Sequence, residues 1–176
     1  MNDKPKILVW DVETFPATGY FWGSKWETNI IETLEQSPLL SFSAKWLDGK
    51  QITKCLADYS GYKKGSKDDS KLINDLWRLL DEADITVTQN GKAYDTKMVN
   101  SRFLYHGLTP PSPSKTIDTK TEAKKYLKLP SYSLDDMVKY FSLGRKMEHE
   151  GFDLWTKCLN GERSAWRKMK SYNAHD

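Results

Sequence analysis

No stretch of this chain is apolar for long enough to cross a bilayer, and its start, "MNDKPK", lacks the hydrophobic region of a secretory signal. Both absences lead us to expect a soluble protein of the cytoplasm. Cysteine is scarce: Cys55 and Cys158 stand far apart and neither belongs to a Cys-x-x-Cys pair. That argues against a zinc ribbon or a disulfide framework and leaves two reduced thiols in the core. No Gly-x-Gly-x-x-Gly follows the first strand-like run, so a dinucleotide-binding unit is disfavoured. There is no internal repeat and no low-complexity tract. What the chain does have is aromatic bulk, with 7 Trp and 9 Tyr among 176 residues, so its few buried positions carry large side chains. The length fits a single domain, residues 1–176, with a real core. A formal net charge of +3 permits a polyanionic partner without requiring one.

The run Ile7, Leu8, Val9, Trp10, Val12 reads as a central strand with both faces covered. The following "PATGYFWGSKWETNIIETLEQSP" has no clean periodicity and is expected to be an irregular excursion with one short helical turn. "LLSFSAKWL" and "QITKCLADY" flank Asp48-Gly49, a strong hairpin signal. A charged loop follows, then a helix that buries Leu72, Leu76, Leu79 and Leu80 and takes Ser70 as its N-cap. Ile85 to Thr88 forms a short strand broken by Asn90-Gly91, and a helix runs from Ala93 to a glycine cap at Gly107. "TID" supplies a last strand, and four short helical pieces complete the chain. This order describes an α/β protein with a mixed five-stranded sheet flanked by helices, and it fits a ribonuclease H-like fold.

Asp11 and Glu13 leave the first strand on the same face, because strand side chains alternate. Two anions held together partly out of water repel one another unless a cation sits between them. Asp95 stands where a strand-to-helix turn returns the chain to the same sheet edge. Tyr172 and Asp176 lie about one helical turn apart on one face.

The order D-x-E, N-G-K-A-Y-D, Y-x-x-x-D resembles the DEDD superfamily of 3′-5′ exonucleases in its tyrosine subtype, over nearly the whole chain. "GYFWG", "LPSYSLDDMVKYF" and "FDLWTKCLNGERSAWRKMKSYNAHD" are similar to predicted bacteriophage exonucleases, whose compartment would be the host cytoplasm. The resemblance implies that Asp11, Glu13, Asp95 and Asp176 ligate two Mg²⁺ or Mn²⁺ ions, hard cations that suit all-oxygen ligands. Asp11 would bridge the pair, and Tyr172 would orient the attacking water. It implies hydrolysis of single-stranded DNA or RNA 3′ ends to nucleoside 5′-monophosphates by a two-metal mechanism. The substrate would meet Thr14, Phe15, Trp22, Asn90 and Tyr94, with Trp26 a further aromatic able to stack on bases. Lysines at 63, 64, 67, 120, 124, 125 and 128 are candidates for phosphate contact, although charged loops and helix faces are usually just solvated. The segment Glu148-His149-Glu150 has no metal-ligand spacing and is read as an exposed loop, and the position that carries histidine in the other subtype is Ser171.

The protein is expected to act as a monomer. Because the family's last motif sits inside a helix that continues past its Asp, the chain is also expected to extend beyond Asp176. Two other readings stay open: a non-catalytic nucleic-acid-binding module with the same fold, and a proofreading domain of a polymerase. Four carboxylates facing a phosphate chain speak against the first. The second differs only in what flanks the chain, and nothing here separates RNA from DNA.

Overall fold

The computed structural model describes residues 4–23 and 29–176. Strand β1 (Ile7–Thr14) lies at the centre of a five-stranded sheet with order β5-β4-β1-β6-β7. It pairs antiparallel with β4 (Leu39–Trp46), which pairs antiparallel with β5 (Gln51–Cys55) through the expected Asp-Gly hairpin. On its other side β1 pairs parallel with β6 (Ile85–Thr88), which pairs parallel with β7 (Lys115–Asp118). The sheet is mixed and flanked by helices, as the sequence predicts.

The register assigns the two faces. Leu8, Trp10 and Val12 stand opposite Trp46, Ala44 and Phe42, and this apolar face joins the core that Leu72, Ile73, Leu76 and Leu80 of helix α1 (Ser70–Glu82) complete. Asp11 and Glu13 stand opposite Ser43 and Ser41 on the other face. There Asn173 and Ala174 of helix α6 (Arg163–His175) accept hydrogen bonds from Ser41 Oγ and Gln51 Nε2. Helix α6 buries Ala165, Trp166, Met169, Tyr172 and Asn173, a stripe at helical spacing. It packs with α5 (Asp153–Leu159), whose Leu154 and Cys158 are buried. Cys55 and Cys158 are both unpaired and buried, and burial pushes each thiol up to about 12.

Three local expectations are corrected. Strand β1 is central, but only one of its faces is fully covered: Val9 is 41% exposed. The segment after β1 is not an irregular excursion with a helical turn, since Thr18–Trp22 (β2) and Asn29–Glu35 (β3) pair as an antiparallel ribbon. Every residue of that ribbon is exposed, so no alternation between buried and solvated positions marks it in the sequence. Ser70 is the first residue of α1 rather than its cap, and its N–H is met by Asp68 Oδ1. Asp69, at the cap position, is turned inward to a salt bridge with Arg102 and contacts His106 and the Leu39 N–H. That fully buried carboxylate ties α1 to α2 (Asp95–Tyr105). Between α2 and α6 lie two further helices, α3 (Thr119–Tyr126) and α4 (Leu134–Tyr140). No helix among the described residues is long and apolar enough to cross a membrane.

Candidate active site

The pleat places Asp11 and Glu13 side by side on the α6 face, and the last residue, Asp176, reaches the same point from the end of α6. One carboxylate oxygen from each of the three lies within 4.8 Å of the others. Asp95, the first residue of α2, does not join that group, yet its charge raises the carboxyls of both Asp11 and Glu13. The four carboxylates predicted from separate motifs therefore share one electrostatic environment.

That environment is hostile to negative charge. Burial, then Asp95, Glu13 and Asp176, push Asp11 up to about 8. Burial and Asp176 push Glu13 up to about 7, and burial raises Asp95 to about 6. Desolvation, joined by neighbouring carboxylates, lifts all three, and the one ammonium beside them, that of Lys146, only partly offsets this at Asp11 and Glu13. Asp176 Oδ1 is buried with no hydrogen-bond partner, an acceptor left over inside the cluster. Convergent oxygens and an orphaned buried acceptor fit a hard divalent cation.

Tyr172 lies next to the cluster, buried among the rings of His149 and Trp155. Burial pushes its phenol up to about 12, partly offset by the hydrogen bond and charge of Lys146. It thus remains a protonated donor throughout the neutral range. Thr14 Oγ1 and Tyr94 Oη are 2.8 Å apart, and Tyr94 is half exposed at the mouth of the site.

Other expected contacts fall differently. Phe15 is 1% exposed, edge-on to Trp166 in the core with its N–H bonded to Pro38 O, so its ring cannot meet a nucleotide. Phe15 lies two residues past Glu13, so strand alternation directs it to the α6 face, where the buried Trp166 of that helix covers it. Trp22 is 83% exposed on the β2–β3 ribbon, away from the packed core, and Trp26 lies outside the described residues. Asn90 is a turn residue with φ 64, its N–H bonded to Asp118 Oδ1. His149 is not an exposed loop residue, since its ring packs 4.6 Å from that of Tyr172.

Three contributors escaped the sequence reading. Asn173 Nδ2 donates to Asp11 Oδ2 at 2.7 Å while its Oδ1 accepts from Ser41, which fixes the Asp11 carboxylate. It lies three residues before Asp176, on the same helix face, and that spacing is a signal that could have found it. Lys146 Nζ reaches Asp176 Oδ2 at 2.6 Å and sits 5.0 Å from the Tyr172 ring centroid. Burial works to lower its ammonium, but hydrogen bonds to Asp176 and Tyr172 hold it above the ordinary lysine range. Lys146 comes from the irregular segment between α4 and α5, where no periodicity points at the site. Asp118 is 1% exposed; burial pushes its carboxyl up, but N–H donors that include those of Lys92, Thr121 and Asn90 outweigh this and hold it below its usual range. It pins the Asn90-to-Asp95 turn that presents Asp95. Gly91 completes this turn, because a Cβ there would meet the Thr88 side chain at 2.5 Å.

No curated protein sequence matches this chain. Among solved structures, the family B DNA polymerase of the hyperthermophilic archaeon Pyrobaculum calidifontis superposes with a TM-score of 0.64 at 13% identity. The match covers 98% of this chain and 24% of the polymerase, so the likeness is one of fold and spans about a quarter of that protein. A family model of the RNase_H superfamily matches residues 24–176, which takes in Asp95, Tyr172 and Asp176 and begins after the strand that carries Asp11 and Glu13. With that match over most of its length and the five-stranded mixed sheet described above, the chain belongs to the RNase_H superfamily.

Proposed function

We propose that this protein is a metal-dependent 3′-5′ exonuclease of the DEDD superfamily, tyrosine subtype, which removes nucleoside 5′-monophosphates from single-stranded DNA or RNA. One observation carries the reading: Asp11, Glu13 and Asp176 bring carboxylate oxygens within 4.8 Å of one another at the end of the central strand. Asp95 adds its charge from the start of α2. A structural role is a poor account of such a cluster, because gathering several carboxyls out of water with a single ammonium, Lys146, beside them costs free energy. Asp11, Glu13 and Asp176 would hold Mg²⁺ or Mn²⁺, and Asp95 would support the site. When bound, such ions lower the pKa of a water nucleophile and stabilise the leaving 3′-oxygen.

The chain's own residues have separable tasks. Asn173 keeps one Asp11 oxygen oriented, so the other is directed into the site. Tyr172, neutral near pH 7, donates a hydrogen bond from Oη to position the attacking water rather than remove its proton. Lys146 supplies positive charge beside Asp176 where the substrate phosphate would enter. Thr14 and Tyr94, bonded to each other at the mouth, would receive the terminal nucleotide.

The test is incubation of the protein with 5′-labelled single-stranded DNA and RNA in Mg²⁺ or Mn²⁺, with and without chelator. We expect a ladder shortening from the 3′ end, release of 5′-monophosphates, and arrest by chelator. Intact substrate in every metal would overturn the proposal and favour a binding module. Relative rates on matched DNA and RNA assign the preferred substrate.

A further inference from the structure

A groove of about 480 Å³ runs along the outer face of α2, beside the carboxylates but outside the cluster they form. Tyr94, Lys97, Met98, Ser101 and Tyr105 share this face because they recur at helical spacing, and Gln36 lines the opposite wall. The groove starts at the site: Tyr94 immediately precedes Asp95, and its hydroxyl is bonded to Thr14, the neighbour of Glu13. It ends at Tyr105, eleven residues along the helix, roughly 16 Å away at 1.5 Å per residue. That is several times the ~3.4 Å rise between stacked nucleotides.

The chemistry of its walls is unlike that of the cluster. Tyr94 and Tyr105 are 50% and 70% exposed, so neither ring is used to fill the core. The Tyr105 ring is nevertheless held in place, with the buried Arg102 guanidinium 4.3 Å from its centroid and Arg102 fixed in turn by Asp69. Among the described residues no carboxylate lines the groove. Lys97 is exposed and makes no ion pair among the described residues. Two presented rings with an uncommitted cation between them suit a strand of stacked bases and phosphates. The β2–β3 ribbon also exposes Phe21 and Trp22, but its described charges are Glu32 and Glu35, which do not favour a phosphate chain.

We infer that this groove carries the upstream nucleotides of the single strand whose 3′ end lies at the carboxylates, with Tyr94 and Tyr105 stacking on bases and Lys97 meeting a phosphate. The inference rests on the exonuclease reading above and adds the path by which the substrate reaches it. It predicts that affinity grows with substrate length until the strand extends past Tyr105.

Steady-state hydrolysis of a thymidine dinucleotide and an octanucleotide by the full chain, by Tyr105→Ala and by Lys97→Ala tests it. Thermal melts coincident with the parent confirm folding, which is expected for two exposed positions. In both variants KM for the octanucleotide should rise about tenfold with kcat little changed, consistent with loss of one base stack or phosphate contact. For Tyr105→Ala the dinucleotide, too short to reach that ring, should shift by less than about twofold. For Lys97→Ala the slope of log kcat/KM against log salt should flatten by about 0.7, as for one phosphate contact on a single strand. Lys97→Glu should raise octanucleotide KM further than Lys97→Ala. An unchanged octanucleotide KM in the variants of an active parent would overturn the groove and leave the exonuclease standing. A parent that degrades neither substrate in any metal would overturn both.

Discussion

Asp11 stands between three other carboxylates, and in the absence of a cation its burial holds it protonated well above the usual carboxylate range. Replacing it with Asn keeps an acceptor for the Asn173 amide and substitutes a neutral group for a carboxyl that the metal-free fold already keeps neutral. Asp11→Asn should therefore lower turnover by orders of magnitude while the metal-free protein melts no earlier than the parent, as read by scanning calorimetry in chelator. Asp95→Asn should show a similar loss of turnover. Complete digestion of an oligonucleotide by either variant would contradict the site. Tyr172→Phe removes one donor from a ring that remains packed against His149, so the loss should be milder, on the order of tenfold. A loss as deep as that of Asp11→Asn would mean that the phenol does more than orient water.

At the scale of elements, two devices hold the carboxylates where the chemistry needs them. The turn from β6 into α2 depends on Gly91, where any Cβ would collide with Thr88, and on Asp118, which gathers its N–H groups. Gly91→Ala should destabilise the protein by about 1–3 kcal/mol, the usual cost of overpacking, measured by urea denaturation. An unchanged midpoint would show that Thr88 yields easily. The second device is Asp69, fully buried and shared by Arg102, His106 and the start of β4. Asp69→Ala strands a buried guanidinium and should cost about 3–5 kcal/mol. Since α2 carries both Asp95 and the Tyr105 groove, a partly folded survivor of this change should lose both functions together.

For the molecule as a whole, the carboxylate cluster links stability, pH and metal. The folded state holds protons on Asp11 and Glu13 up to about pH 8 and 7, whereas the unfolded chain releases them near pH 4. Between these values the folded state binds more protons, so the stability of the metal-free protein falls as pH rises through this window and levels above it. A divalent cation must displace those protons. Mn²⁺ affinity should accordingly climb from pH 6 to pH 8 with proton release, which calorimetry in buffers of different ionisation enthalpy detects. Binding that is independent of pH would mean the carboxylates are already ionised. A site built for a free strand end should also spare a circular single strand that has the same sequence as a degraded linear one. Equal rates on the two would identify an endonuclease.

Local spacing was legible without any structure, because the strand period of two and the helical period of 3.6 are properties of the backbone. They were enough to place Asp11 beside Glu13, to put Tyr172 one turn before Asp176, and to recover the Asp48-Gly49 hairpin and the order of strands and helices. The same rule left the β2–β3 ribbon unread, since a ribbon with no buried face has no alternation to display. Only the tertiary structure decided which neighbours close the site. Phe15 turns into the core while Tyr94 turns outward, because packing against Trp166 and an N–H bond to Pro38 O fix the one and a hydrogen bond to Thr14 the other. Lys146 and Asn173 come to Asp176 and Asp11 across the fold, and their partnership depends on how α6 lies over the sheet. A sequence states which charges the chain carries, but their desolvation and mutual distance, which lift three carboxyls toward neutral pH, exist only once the chain is packed.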